Sequence, residues 1–555
     1  MDVRADQVFV GGSIYTGVPG PAPEGIAVAE GRIVAIGDRR DLKQISSAKT
    51  EVIDLENRLL LPGFNDAHIH PISGGLERLR CDLTGDSTSF AYKETVRRYG
   101  RSNPDVDWIF GGGWSMTSFP GGLPSALELD EAVGDRPAFF YNRDHHGAWV
   151  NSKALELAGI DEATPDPADG RIERDAGGKP TGMLHEGAMG LVETLLPPPT
   201  NDDILMGLLE GQRYLHALGI TGWQDAIVGE EFLGRSALPV YIEALAGGKL
   251  TAKVRGALWL ERGAGLDALD GLIAARHEAR AGGFDAEAIK IMQDGVVENF
   301  TAGMLHPYLD DDGRESDQRG LSFFDPEFLK EFVPLADAAG FQVHFHAIGD
   351  RAVRECLDAV AAARRANGMN DNRHHIAHIQ LVHPDDIGRF AELEVIGNAQ
   401  PLWAAYEAQM RELNVPFLGP ERTEWQYPFG SLLRSGAVLA FGSDWPVSDP
   451  DPCAAMHVAM NRTEAPSVVG EGKIDDEPLV ASEAIDLDTA IRAYTWGSAY
   501  VGHLEQRTGT IEVGKDADLI VLDRDLATWE AGDVDGTQVD LTFVDGDVVH
   551  ERSGE

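Results

Sequence analysis

Cysteine, basic residues and long apolar runs are all scarce in this sequence. It has 555 residues but only three cysteines, Cys81, Cys356 and Cys453, which are too few and too scattered for a disulfide framework and fit a reducing compartment. No stretch approaches the roughly 20 apolar residues that span a bilayer, and the first residues lack the basic and apolar regions of a signal peptide. We therefore expect a cytoplasmic protein that is not inserted in a membrane.

Positive charge is outnumbered about two to one. Lys and Arg total 47 against 91 Asp and Glu, a formal net charge of −44. Such an acidic surface repels phosphate backbones and anionic lipids, so nucleic acid and membranes are poor partners and a small-molecule substrate is expected. The surface is typical of a highly soluble protein, and a salt-adapted source would also fit. Because only 11 residues are lysines, a lysine within an apolar strand is notable.

Two sets of short strand-like segments lie at opposite ends of the chain. Residues 7–64 alternate apolar and polar positions between glycine-containing turns, and residues 509–551 repeat this style. Neither set is large enough to bury a face alone, because sheets of two or three strands are marginal. We predict that residues 1–62 and 506–555 form one composite β-sandwich.

The central region has a different pattern. From about residue 200 to 500, short apolar runs alternate with helix-like stretches, which indicates repeated β–α units and a parallel sheet buried on both faces. An eight-stranded (β/α) barrel needs roughly 250 residues and is favoured over a doubly wound open sheet. We predict an α/β barrel from residues 63–81 and 196–505. The Gly/Pro-rich segment 82–195 is then an insertion after the first strand that covers the barrel mouth.

A His-x-His motif lies at the end of the first apolar strand. In a strand, residues i and i+2 point to the same face, so His68 and His70 can reach one cation. Neutral histidine is the commonest metal ligand. The motif alone is weak evidence, because two polar residues at a strand end would have the same spacing.

Lys290 lies between Ile289 and Ile291 and therefore faces the opposite way from both. If the isoleucines pack beneath helices, Lys290 points into the barrel, where burial lowers the pKa of its amine. A neutral amine can react with carbon dioxide to form a carbamate, which is an anionic ligand able to bridge two metals. The alternative is a lysine paired with a buried acid such as Asp294.

Three further strand-like segments carry residues of the same kinds. His344 and His346 share a face, and His346 lies nearer the C-terminal end of its strand, where barrel active sites lie. His378 lies within an apolar strand, where it would otherwise be a core histidine. Asp444 ends a strand of small and apolar residues and can bind metal, activate water or cap the next segment. Five segments with such residues at inward or C-terminal positions together predict one site.

Taken together, these segments resemble the amidohydrolase superfamily, specifically its amidohydrolase-3 (YtcJ-like) branch, which includes N-substituted formamide deformylases. The matching segments run from about residue 8 to 525 in the family's order: PGFNDAHIHP, YNRDHHGAWVNSKAL, GMLHEGA, IKIMQDGVVENFTAGML, VHFHAIGDRAV, HIAHIQLV, FGSDWPVSDP and GTIEVGKDADLIVLD. The resemblance implies a (β/α)8 TIM-like metallo-barrel with a composite β-sandwich. It also implies a metal centre, usually binuclear zinc.

The resemblance assigns roles to particular residues. The implied metal ligands are His68, His70, Lys290, His346, His378 and Asp444. Carboxylated Lys290 would bridge two Zn²⁺ ions. Asp444 and His378 are the expected catalytic residues, and Asp444 would take a proton from metal-activated hydroxide and pass it to the departing amine.

The expected reaction is hydrolysis of a non-peptide C–N bond in an amide, N-formyl or N-acyl compound. A deaminase, a lactonase or esterase on the same metal barrel, and a non-catalytic scaffold are the alternatives, since fold does not determine chemistry. The expected substrate-binding residues are His146, Glu186, Trp114, Phe300, Tyr308 and Trp445. Each aromatic residue also fits ordinary core packing. A homodimer is expected only by analogy with the family.

Overall fold

An eight-stranded parallel sheet forms the centre of the molecule. The computed structural model describes residues 4–229, 235–469, 476–525 and 534–553. The strands, in order around the sheet, are Phe64–Ile69, Ile220–Val228, Lys253–Trp259, Asp285–Met292, Gln342–Ala347, His375–His378, Ile396–Ala399 and Leu439–Phe441. We refer to them as the first to eighth barrel strands.

The two edge strands of this sheet meet at their C-terminal ends. Just beyond the eighth strand, the Asp444 N–H donates to the carbonyl of His68 at 2.7 Å, and the His70 N–H donates to the carbonyl of Trp445 at 2.9 Å. These bonds close the sheet at the edge where barrel active sites lie. The predicted barrel is therefore confirmed.

Helices surround the sheet and bury its outer face. Those between the strands include Pro71–Leu79, Asn201–Ala217, Leu238–Ala246, Ala268–Ala281, Pro326–Ala338, Asp350–Asn367, Pro384–Glu392, Val415–Thr423 and Phe429–Ser435. Ile289, Ile291, Val343 and Phe345 are fully buried against them. Alternate residues of these strands consequently point into the barrel.

No helix among the described residues has both the length and the apolar character that a membrane crossing needs.

Strands from both ends of the chain form the expected composite sandwich. One sheet has the order Arg32–Gly37, Gly25–Ala29, Gln7–Val10 and Glu51–Asp54, and the other has the order Ser13–Ile14, Leu59–Pro62, Leu519–Leu522, Val539–Val544 and Asp547–Glu551. Phe9 and Phe543 meet edge to face in the shared core, with ring centroids 5.1 Å apart. Lys253 ties the sandwich to the third barrel strand, because its Nζ lies 2.6 Å from Asp518 and 2.9 Å from Asp545. Residues 1–3, 526–533 and 554–555 of the predicted segments lie outside the described residues.

The inserted segment has a sheet and apolar cores of its own. Its six strands follow the order Gly170–Arg174, Pro180–Glu186, Gly147–Val150, Ala138–Asn142, Ile109–Trp114 and Cys81–Asp82. The helices Ser89–Ser102, Ala126–Val133 and Ser152–Ala158 accompany it. The strands of this sheet contain glycines, which interrupt the alternation of apolar and polar residues that would predict them. Glycine also lets two strands approach closely, since a Cβ at Gly111 would lie 2.0 Å from the carbonyl oxygen of Cys81.

Candidate metal centre

Asp444 lies at the centre of the predicted ligand set. Its Oδ1 is 3.1 Å from Nε2 of His68 and 3.0 Å from Nε2 of His70. Its Oδ2 is 3.9 Å from Nδ1 of His378. The ligand atoms of His68, His70 and Asp444 all lie within 4.8 Å of one another, so these three side chains can hold one ion.

The remaining predicted ligands extend this cluster. Lys290 Nζ is 3.3 Å from His68 Nε2. The ring of His378 lies 4.7 Å from that of His68 and 4.4 Å from that of His346, measured between centroids. Residues 68 and 444 are far apart in sequence, yet the six predicted side chains form one contiguous group, in which five are buried and His70 is partly exposed.

Two of the predicted ligands, His378 and Asp444, have a strained backbone conformation. His378 has φ = 75° and Asp444 has φ = 59°, a left-handed conformation that costs a non-glycine residue about 1–3 kcal/mol. Asp66 fixes the loop before Asp444, because its carboxylate accepts the N–H groups of Ser443, at 3.0 Å, and of His68, at 3.0 Å. Such strain persists where the surroundings hold a functional side chain in place.

Burial sets the charge state of these groups. It lowers the pKa of His68 to about 3 and brings the pKa values of His346 and His378 well below the usual value, so these imidazoles are neutral. Burial alone would raise the pKa of Asp444, but the neighbouring histidines, His68 foremost, hold it well below its usual range. Burial also lowers the pKa of Lys290 to about 7. The site thus presents neutral imidazoles, a carboxylate and an amine that is partly neutral at neutral pH.

This donor set fits a divalent metal. Within the described part of the chain, Asp444 Oδ1 and His378 Nδ1 are buried and make no hydrogen bond of acceptable geometry. Leaving a buried polar atom unsatisfied costs roughly 1–3 kcal/mol, and a cation between these atoms would remove that cost. Neutral imidazole rings and ionised carboxylates are ligands of zinc and related ions.

His146 and Glu186 of the insertion lie beside the cluster. His146 Nδ1 is 2.8 Å from Glu186 Oε1, which also accepts the Thr301 hydroxyl at 2.9 Å. Asn299 donates to the backbone carbonyl of His146 at 3.0 Å, and the ring centroids of His146 and His346 are 5.7 Å apart. Burial alone would lower the pKa of His146, but Glu186 raises it to about 9. The insertion therefore places a histidine whose protonated form is favoured beside the predicted ligand His346.

The predicted aromatic residues occupy packing positions. Trp114 is fully buried in the core of the insertion, and Trp445 packs against Tyr214 with ring centroids 5.4 Å apart. Phe300 and Tyr308 contact each other at 5.2 Å after the fourth barrel strand, and Tyr308 is fully buried. Trp114, Tyr308 and Trp445 are buried and Phe300 is partly exposed, and their assignment to substrate binding stays a prediction.

Trp403 contacts a predicted ligand directly. Its ring stacks on that of His378 with centroids 5.3 Å apart and an interplanar angle of 12°. The side chain is half-buried, so it can border the space above the cluster. Trp403 follows the seventh barrel strand, and its position in the sequence suited an apolar pocket no better than those of Trp114, Trp149 and Trp445.

Sequence reasoning did not give the contacts of the buried groups behind the ligands, although it named Asp294 and His344. Asp294 was considered as a partner for Lys290, but its carboxylate accepts three backbone N–H groups at 2.8–3.0 Å and lies 3.3 Å from His346 Nδ1. Asp66 and His344 contact the backbone and side chain of His68, respectively. The two-residue spacing that placed His344 on the face of His346 also holds for Asp66 and His68, and it is the signal that could have suggested Asp66.

A closed parallel barrel with a buried histidine, lysine and aspartate cluster at its C-terminal edge defines the class of metal-dependent barrel hydrolases. Residues 51–550 match the amidohydrolase-3 sequence model of the Amidohydrolase family, so the chain belongs to that family.

Known proteins resemble the chain over nearly its whole length. It is 30% identical to YtcJ of Bacillus subtilis, covering 98% of this chain and 99% of that one. It is 28% identical to the N-substituted formamide deformylase of Arthrobacter pascens, covering 96% and 95%. An uncharacterized metal-dependent hydrolase from Pyrococcus horikoshii has a similar crystal structure, with a TM-score of 0.71 and 26% identity over 95% of this chain and 99% of that one. These similarities support hydrolase activity.

Proposed function

We propose that this protein hydrolyses a non-peptide C–N bond in small amide, N-formyl or N-acyl compounds. The observation that carries the proposal is the convergence of His68, His70, Lys290, His346, His378 and Asp444 at one edge of the barrel. The choice of a C–N bond is supported by the relative named as an N-substituted formamide deformylase.

Asp444 is the proposed proton carrier. A divalent metal held here would lower the pKa of water and polarise a substrate carbonyl. The low pKa of Asp444 keeps it a carboxylate at neutral pH, able to accept a proton as water attacks. It then passes that proton to the departing amine, which is otherwise a poor leaving group. Neutral His68 and His378 provide lone pairs on either side of it.

His146 is proposed to stabilise the negative charge that develops on the carbonyl oxygen. Its Nδ1 side is held by Glu186, and a protonated ring can donate from Nε2. Because Glu186 raises the pKa of His146 to about 9, activity should fall as the pH rises through about 9. In Glu186→Gln the pKa of His146 drops, so the fall should move to lower pH while metal content stays constant. A pH profile of kcat/KM tests this, and an unshifted profile contradicts it.

Metal removal and substrate choice test the proposal as a whole. Protein treated with a chelator should lose activity, and added zinc should restore it, whereas a non-catalytic scaffold would carry little stoichiometric metal. We expect amine release from formamides or N-acyl compounds in a panel that also contains lactones and aminopurines. Ammonia release from aminopurines, or lactone hydrolysis alone, would contradict C–N amide hydrolysis.

The proposal also covers the cofactor, the assembly and the location. We propose that the metal is zinc and that carboxylated Lys290 bridges two zinc ions. We further propose a small-molecule substrate, a homodimer and a cytoplasmic location. Atomic absorption and size-exclusion chromatography of the purified protein measure the metal and the subunit number.

A further inference from the structure

A second layer of histidines lies behind His68. His344, on the fifth barrel strand, pairs in register with Lys290 on one side and His375 on the other, so all three point into the barrel at one level. His344 Nε2 lies 2.7 Å from His68 Nδ1. Both imidazoles are at most 1% exposed. This contact uses the nitrogen of His68 that faces away from Asp444.

The His68–His344 contact constrains where the protons lie. For His68 to bind a cation through Nε2, which faces Asp444 and Lys290, that atom must offer a lone pair. A neutral imidazole carries one proton, which is then on Nδ1 and is donated to His344. We infer that His344 is a positioning residue that fixes the tautomer and ring orientation of His68 by accepting this hydrogen bond.

His344 packs against His375 on the side away from Lys290, and its Nδ1 makes no hydrogen bond among the described residues. The ring of His375 lies 4.1 Å from that of His344. Asn398 contacts His375 Nδ1 at 3.2 Å and donates to the carbonyl of Ala67 at 2.9 Å, which ties the layer back to the first barrel strand. Metal-bound histidines usually donate to a carboxylate or a carbonyl. An imidazole acceptor orients His68 without adding negative charge to a site that already contains Asp444.

The inference rests on the proposed ligand set and is tested by zinc binding to the full-length protein. His344→Leu removes the acceptor with little change in volume, and His344→Gln keeps an oxygen that can accept. We expect His344→Leu to weaken zinc affinity roughly 10- to 100-fold, the usual effect of losing such a partner, and His344→Gln to remain close to the parent. Competition with a chromophoric chelator gives the dissociation constants without any assay of activity.

A matched control separates this role from general packing. His216 is also buried, and its ring nitrogens contact Ile220 O at 2.9 Å and Thr251 Oγ1 at 2.8 Å, on a helix that carries no predicted ligand. His216→Leu should lower the unfolding temperature without weakening zinc binding. Unchanged zinc affinity in His344→Leu, or equal losses of affinity in His344→Leu and His344→Gln, would overturn this inference and leave the proposed function standing.

Two outcomes outside this comparison are also decisive. A parent protein that binds no zinc would overturn the ligand set and this inference with it. If His344→Leu does not fold, a crystal structure of the zinc-loaded parent gives the answer. Binding through His68 Nε2, with Nδ1 within hydrogen-bond distance of His344, supports the inference, whereas binding through Nδ1 overturns it.

Discussion

Replacing Asp444 by asparagine should lower kcat by about 10³-fold, within the range that positioned acid–base groups contribute, while the barrel stays folded. Asparagine has nearly the same volume, but it cannot take a proton from water and return it to the amine. It also removes the carboxylate that lies 3.0–3.1 Å from His68 and His70. Steady-state kinetics with the best amide of the panel, together with circular dichroism, measure the two effects separately.

Asp225→Asn is the matched control for this experiment. Asp225 is also a buried barrel aspartate, but it accepts a hydrogen bond from Tyr241 and lies on the second strand, which carries no predicted ligand. Its loss should destabilise the fold and change kcat little. Full activity in Asp444→Asn, or equal losses in the two variants, would remove Asp444 from the mechanism.

Replacing Lys290 by alanine should lower kcat by roughly 10²–10³-fold if its carbamate bridges two metals as proposed, because loss of a metal ion removes the several kcal/mol by which that ion stabilises the transition state. Burial lowers the pKa of Lys290 to about 7, so a sizeable fraction is neutral amine at neutral pH. That amine can add to carbon dioxide, forming the N–C bond of a carbamate and releasing one proton. The variant should retain less metal, and formate, acetate or propionate should partly restore activity by occupying the space left by the side chain.

Lys253→Ala distinguishes chemical rescue from a general effect of losing a buried lysine. Lys253 is ion-paired with Asp518 and Asp545 at the sandwich, so its loss should lower the free energy of unfolding. Added carboxylates should not restore that loss. If Lys290→Ala is as active and as metal-loaded as the parent, the bridging role is wrong.

The parts of this molecule that could be predicted are those governed by local periodicity. The spacing of His68 and His70, and the apolar neighbours of Lys290, follow from the two-residue repeat of a strand. The closed barrel followed from the alternation of short strands and helices along the chain. Recognition of the family then supplied the order of the ligands.

The parts that could not be predicted depend on register between strands distant in sequence. His344 on the fifth strand meets His68 on the first strand across the inside of the barrel, and the register that sets His344 beside Lys290 joins segments distant in sequence, which no local pattern contains. The mixed sheet of the insertion escaped notice because its strands are interrupted by glycines such as Gly111. The stacking of Trp403 on His378 depends on the path of a loop.

The separate apolar cores of the insertion have an evolutionary consequence. Because the insertion packs around cores of its own, substitutions inside them are absorbed there and leave the strands that present the predicted ligands in place. If this segment covers the barrel mouth as the sequence predicts, access to the ligands can change through the insertion while the barrel stays constant.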